Sequence, residues 1–230
     1  MKEKWIDIVC KTCGGPGRLI ADTDSFGHSC LEPEYDCTCN NIQEFIPIAL
    51  PKRYMNAELI AKTNTQINIY SKCNSYVDSF NKEENNFGWG IYIFGATGMG
   101  KTYIISGIAT KLMAKFRNIN IKYISEVKLI SQIKNCIATH SNTFDMIQCY
   151  CDSDLLVLDD IGKDRYTEFV GNALFSIIDY RWDSMLPTLY SSNYSLDQLC
   201  DRIGEEYGKS IVSRIKGNCH IYTFEGADLR

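Results

Sequence analysis

The sequence predicts a doubly wound α/β domain built on a parallel sheet, and three observations carry that expectation. A run of β-formers, Ile91 to Phe94, leads straight into Gly95-Ala-Thr-Gly-Met-Gly-Lys-Thr102, and a helical stretch with one apolar face follows. Short apolar runs then alternate with helix-length periodic segments, the pattern of strands joined by helical crossovers on both faces of a sheet. At 230 residues, 45% hydrophobic and 12% aromatic, the chain has ample material for one substantial core and a small appendage.

The N-terminal region reads as the appendage. Cys10-Lys-Thr-Cys13 followed by Gly14, Gly15 and Gly17 is a C-x-x-C knuckle, and Cys37-Thr-Cys39 is a second, tighter pair. Two such pairs suit tetrahedral zinc, with Cys10, Cys13, Cys37 and Cys39 as ligands and His28 or Cys30 as substitutes for one of them. A stretch so poor in apolar residues buries little, so a metal is a natural source of its stability. Ile46-Pro47 and Leu50-Pro51 bias the chain away from helix and mark a boundary. The expected division is a cysteine-rich zinc-binding region over residues 1–45 and the main α/β domain over 46–230.

From there the expected elements are a helical region over Asn56 to Phe80, a polar connector over Asn81 to Gly90, the strand at Ile91, and a helix over Thr102 to Phe116. Ile104, Ile105, Ile108, Leu112, Met113 and Phe116 form the apolar face of that helix. Strands follow at Ile121 to Ile124, Leu155 to Asp159, Thr188 to Ser191 and Ile221 to Phe224. Helices are expected at Glu126 to Ala138, Thr143 to Cys149, Glu168 to Ser184 and Leu196 to Ile215. In such a sheet the ligand site lies at the carboxyl ends of the strands.

Composition narrows the function. Net charge of −4 argues against a globally basic nucleic-acid binder, so DNA contact would need a local patch. No apolar run is long enough to span a bilayer and the charged N-terminus does not read as a signal peptide, so a cytoplasmic protein with no membrane contact is expected. Eleven cysteines, an odd number, read as thiols or metal ligands of a reducing compartment.

The stretch Gly95 to Thr102 fits G-x-x-x-x-G-K-[ST], in which glycines let successive backbone N–H groups turn toward phosphate oxygens at the start of a helix. Gly95, Ala96, Thr97, Gly98, Met99, Gly100, Lys101 and Thr102, with Tyr103 after them, are therefore the expected ATP-binding residues. Lys101 would reach the β- and γ-phosphates and the Thr102 hydroxyl would ligate Mg2+. Asp154 to Asp160 is a buried strand ending in two acids: Asp159 for Mg2+, Asp160 to polarise the attacking water. Asp160 is one methylene shorter than the glutamate many ATPases carry there. Asn193, after the next strand, is placed to bond the attacking water or the γ-phosphate. Arg214, near the end of a helix, suits an arginine supplied across a subunit boundary, with Arg202 as runner-up.

With these residues in place the chain resembles replicative helicase loaders of the DnaC/DnaI type, within the AAA+ ATPase superfamily and close to the IstB-like transposition ATPases. IPIALPKRYMNAEL, GATGMGKT, DLLVLDDIG and PTLYSSN carry the resemblance, and GKSIVSRIKG and EGADLR continue it. The resemblance implies an AAA+ P-loop fold with sheet order 5-1-4-3-2 and a truncated or absent lid. It further implies ATP with Mg2+, self-association with Arg214 acting in trans, Arg230 in a sensor 2-like role on the nucleotide, a hexameric helicase as partner, and single-stranded DNA as ligand. Lys128, Lys134, Lys163 and Arg165, flanking the acid-bearing strand, are the candidates for DNA contact.

The expected function is thus ATP-dependent loading of a ring helicase onto single-stranded DNA, with slow, DNA-stimulated hydrolysis. An IstB-like transposition helper is the alternative. A P-loop small-molecule kinase and a zinc-stabilised adapter that holds ATP without hydrolysing it are the readings from other classes.

Overall fold

The computed structural model describes residues 4–10, 16–23, 29–35, 45–47, 50–54, 57–61, 66–81, 88–116, 119–139, 142–164 and 166–224, the strands before residue 48 as backbone only. Those four are β1 (Lys4–Cys10), β2 (Pro16–Thr23), β3 (Ser29–Tyr35) and β4 (Phe45–Pro47), antiparallel in the order β3-β2-β1-β4. This sheet departs from the loop-like region expected there. The cysteine pairs drew the reading away from β-formers such as Ile6, Ile8, Val9, Leu19 and Ile20, which favour a pleated chain. Cys13, Cys37, Cys39 and His28 lie outside the described residues. Cys10 ends β1 opposite Phe45, and Cys30 pairs with Asp22.

The larger domain begins with a 3-10 turn (Lys52–Tyr54) and α1 (Ile67–Ser79). Then come β5 (Gly90–Phe94), α2 (Lys101–Lys115), β6 (Ile121–Ser125), α3 (Glu126–Ala138) and α4 (Thr143–Cys151). The chain continues through β7 (Leu155–Ile161), α5 (Glu168–Asp183), β8 (Thr188–Ser192), α6 (Leu196–Ile203), α7 (Glu205–Asn218) and β9 (Cys219–Thr223). The five strands are parallel in the order β6-β7-β8-β5-β9. Numbered within the domain this is 2-3-4-1-5, the expected 5-1-4-3-2 read from the other edge.

Alternate side chains of each central strand feed two cores, which is why these runs are apolar throughout. Ile91, Ile93, Leu155, Val157 and Leu189 pack under α1 and α2 with Ile104, Ile105, Ile108 and Leu112. Tyr92, Leu156, Leu158 and Tyr190 face the opposite core with Leu129, Ile133, Leu174, Ile177, Leu199 and Ile211.

Two expected helices are shorter than read. Among the described residues of 56–80 the α-helix is confined to Ile67–Ser79, while Ala57 and Leu59 are buried in irregular chain that lies across α2. A Cβ on Gly107 would stand 3.0 Å from Leu59 Cδ2. The segment 196–215 is broken at Gly204, whose φ of 95° ends α6 and opens α7. The two helices then pack closely, since a Cβ on Gly208 would come within 2.4 Å of the Cys200 carbonyl oxygen. The amphipathic pattern runs through the break because both helices face the same core. Among the described residues no helix is long and apolar enough to cross a membrane.

Candidate functional site: the loop between β5 and α2

The loop leaves β5 at Gly95, where a side chain is impossible: a Cβ would meet the Phe224 carbonyl oxygen at 2.1 Å. Gly98 (φ 87°) and Gly100 (φ 92°) take left-handed conformations that side chains disfavour, and Gly100 caps the start of α2. Ala96 and Thr97 are exposed at the tip, whereas Met99 turns into the core beneath it. Tyr103 faces the 3-10 turn, where its hydroxyl accepts the Glu58 N–H at 3.0 Å and its ring meets Tyr54 edge-on.

Lys101 is buried, and its ammonium donates to the carbonyls of Gly95 and Ala96 and to Asn193 Oδ1, each at 2.8 Å. Burial pulls its pKa down, opposed by the nearby charges of Asp160 and Asp159. The lysine of the loop and the amide after β8, far apart in sequence, thus share one site.

Asp159 ends the apolar run of β7 and is 5% exposed. Thr102 Oγ1 donates to its two oxygens at 3.0 and 3.2 Å, the Tyr123 hydroxyl donates to Oδ2, and the Ser191 hydroxyl donates to Oδ1. Burial raises the carboxyl pKa, and the hydroxyls from Ser191, Tyr123 and Thr102 oppose the rise. Asp160 has φ 58°, sparsely allowed for a residue with a Cβ, and its N–H donates to Ser191 Oγ at 2.9 Å. Its carboxylate pairs with Lys163 at 2.7 Å. A hydroxyl and a carboxylate side by side form a hard-oxygen donor set that fits Mg2+.

The loop after these acids is pinned by a residue that sequence reasoning missed. Glu126, the fully buried first residue of α3, accepts the N–H groups of Gly162, Lys163 and Asp164 on Oε2 at 3.0, 2.9 and 3.1 Å. Its Oε1 accepts the Tyr166 hydroxyl. Burial pushes the Glu126 carboxyl up, opposed by these donors. Tyr123 and Ser191 were also missed, although a serine inside a fully buried strand was a readable signal.

The arginines stand elsewhere. Arg202 is committed within its own chain, donating to the Gly162 carbonyl at 2.5 Å and lying over the Tyr194 ring. Arg214 is near the end of α7, beside the strand starts and away from Lys101 and Asp159. It pairs with Asp179 and sits against the rings of Phe175 (4.7 Å) and Trp182 (5.6 Å). Lys128 and Lys134 are exposed on α3. Arg165 and Arg230 lie outside the described residues, as do three of the four expected zinc ligands. Among the described residues no three or more histidine, cysteine, aspartate or glutamate side chains gather into a metal-holding group.

Residues 59–209 match the bacterial DnaA ATPase domain family, a span that holds Lys101, Thr102, Asp159, Asp160 and Asn193. The replicative helicase loader DnaI of Bacillus subtilis (strain 168) is 29% identical over 157 residues, covering 64% of this chain and 48% of DnaI. The loader DnaC of Escherichia coli (strain K12) is 25% identical over 142 residues, 61% of this chain and 55% of DnaC. A crystal structure of the DnaC helicase loader superposes with a TM-score of 0.65 at 26% identity, covering 76% of this chain and all of that one. The chain spans about half the length of the curated relatives it matches. It belongs to the bacterial DnaA ATPase domain family, with an AAA+ P-loop fold and a DnaC/DnaI-type sequence.

Proposed function

We propose that this protein is an ATP-dependent replication accessory that loads a hexameric helicase onto single-stranded DNA. The observation that supports it best is the meeting of Lys101, Thr102, Asp159 and Asn193 at the carboxyl ends of β5, β7 and β8. The similarity to DnaI and DnaC, both named as replicative helicase loaders, supplies the partner.

In this reading the backbone N–H groups of the loop and the start of α2 hold the phosphates, and Lys101 exchanges its carbonyl partners for phosphate oxygens. Thr102 and Asp159 would hold Mg2+, which would supply charge neutralisation for the phosphates. Asp160 polarises the attacking water and Asn193 orients it. Arg214 serves the site of a second copy of the chain, so hydrolysis belongs to subunit interfaces. Slow hydrolysis acts as a timer: the ATP and ADP forms differ in affinity for helicase and DNA. Lys128 and Lys134 on α3 are the DNA-contact candidates. Cys10, Cys13, Cys37 and Cys39 bind zinc in an N-terminal region separate from the ATPase domain.

Phosphate release measured with and without single-stranded DNA, and capture of the cognate replicative helicase by the tagged protein with ATP or ADP, test the proposal. Stimulation by DNA and nucleotide-dependent capture are expected. A chain that hydrolyses ATP but never retains the helicase would sink the loader reading.

A further inference from the structure

Asp160, read above as the water-polarising acid, has its carboxylate engaged by Lys163 at 2.7 Å, three residues further along a loop. That loop is held from several sides. Glu126 accepts three of its N–H groups, Arg202 donates to the Gly162 carbonyl, and Ser192 Oγ donates to the Ile161 carbonyl at 2.7 Å. Gly162 has no room for a side chain, since a Cβ would stand 2.8 Å from the Tyr194 ring and 3.0 Å from Leu199. With its backbone fixed, Lys163 keeps a mobile four-carbon stem and an ammonium whose side chain is 46% exposed.

This places a second lysine close enough to Lys101 for the two charges to oppose each other. The connection is continuous: Lys163 on Asp160, the Asp160 N–H on Ser191, Ser191 on Asp159, and Asp159 on Thr102 at the start of α2. An ion pair this open to water is weak, so an acceptor with more negative charge nearby would outcompete Asp160 for the ammonium.

We propose that Lys163 is a phosphate-sensing residue: its ammonium rests on Asp160 and passes to the terminal phosphate of a bound nucleoside triphosphate, releasing Asp160 to polarise water. The step exchanges one ion-pair partner for another and breaks no covalent bond. It rests on the nucleotide-binding reading given above. A diphosphate lacks the terminal group, leaves Lys163 on Asp160, and keeps the acid engaged. Lys163 would thereby distinguish triphosphate from diphosphate.

Binding of Mg-ADP and of a non-hydrolysable Mg-ATP analogue to the full chain tests this. Lys163→Ala should weaken the triphosphate analogue about tenfold, the size of one charge-assisted hydrogen bond, and leave ADP affinity unchanged. Lys163→Gln serves as the second variant, and unchanged thermal midpoints show that both fold. Asp160→Asn frees the ammonium in advance and should strengthen analogue binding about threefold, an effect expected to vanish in the Lys163→Ala background.

Equal losses for both nucleotides, or an Asp160→Asn gain that persists without Lys163, would overturn the proposal; the latter would reveal simple charge repulsion. Weaker binding of an oligonucleotide with unchanged nucleotide discrimination would instead assign Lys163 to a DNA phosphate, and also overturn it. Wild type that binds both nucleotides, with Lys163→Ala unaltered, defeats this inference alone. Wild type that binds neither defeats the functional reading together with it.

Discussion

The Thr102 hydroxyl donates to both carboxylate oxygens of Asp159, tying the first turn of α2 to the end of β7 across 57 residues of sequence. Tyr123 and Ser191 donate to the same carboxylate, so β6, β7, β8 and α2 converge on one buried acid. The acid is a structural junction and, in the proposed function, also the place for a divalent cation.

Those two roles oppose each other, and the opposition is measurable. Burial raises the folded-state pKa of Asp159, so the folded chain holds its proton more tightly than the unfolded chain does. Its contribution to stability is therefore full below the ordinary carboxylate range and is lost as pH rises through the raised folded value. Asp159→Asn removes the buried charge and keeps an acceptor. It should raise the thermal midpoint of the nucleotide-free protein by a few degrees at pH 7, and by less at pH 4. The same variant should lose Mg2+-dependent nucleotide binding. A midpoint lowered equally at both pH values would show that the hydroxyl contacts outweigh the cost of the charge.

Arg181 supports a second prediction. Only 1% exposed, it donates to the carbonyls of Tyr150, Cys151, Ser153 and Pro187 and to the Ser153 and Thr188 hydroxyls, joining the segment before β7 to the segment before β8. Burial lowers its pKa to about 10, so it is charged at neutral pH. Arg181→Met would strand several buried carbonyls, at a cost of about 3–5 kcal/mol. Urea denaturation should show that loss, and an unchanged unfolding midpoint would refute the clamp.

Much of this architecture is legible in the sequence because strands buried on both faces leave unbroken apolar runs, and α3 keeps the expected bounds Glu126–Ala138. What was hidden depends on distant partners. Glu126 meets Gly162 across 36 positions and Ser191 meets Asp159 across 32, and such hydrogen bonds leave no local periodicity. Lys163 looked like a solvated lysine available to DNA. Its engagement by Asp160 depends on a left-handed Asp160 and a pinned loop, neither of which can be read from residue types. Gly204 went unread as a helix break because apolar residues continue in phase on either side of it.

The proposed zinc site makes a separate claim about the N-terminal region. Purified full chain should carry about one zinc per protomer by elemental analysis, falling toward zero in Cys10→Ser with Cys13→Ser. Chelation should loosen residues before 48 in hydrogen exchange while leaving β5 to β9 protected. A metal-free chain with unchanged protection in β1 and β2 would remove zinc from the account.

Arg214 offers the sharpest test of a shared catalytic site. Its guanidinium is held by Asp179 through Nε, by the Ser210 carbonyl through Nη1 at 3.2 Å, and by the rings of Phe175 and Trp182. Those contacts hold it half-buried beside Thr188 and Cys219, the first residues of β8 and β9, whereas Lys101 lies at the carboxyl ends of the strands. If it completes a neighbour's site, Arg214→Ala and Lys101→Ala are each inactive alone for different reasons. Mixed, they should recover ATPase activity, because a site with intact Lys101 can face a subunit with intact Arg214. Arg214→Ala alone should lower kcat about a hundredfold or more, the scale of an arginine supplied in trans, with nucleotide affinity little changed. Retained activity in Arg214→Ala would leave Arg214 a structural partner of Asp179, and failure of the mixture to recover would place the arginine's role within a single chain.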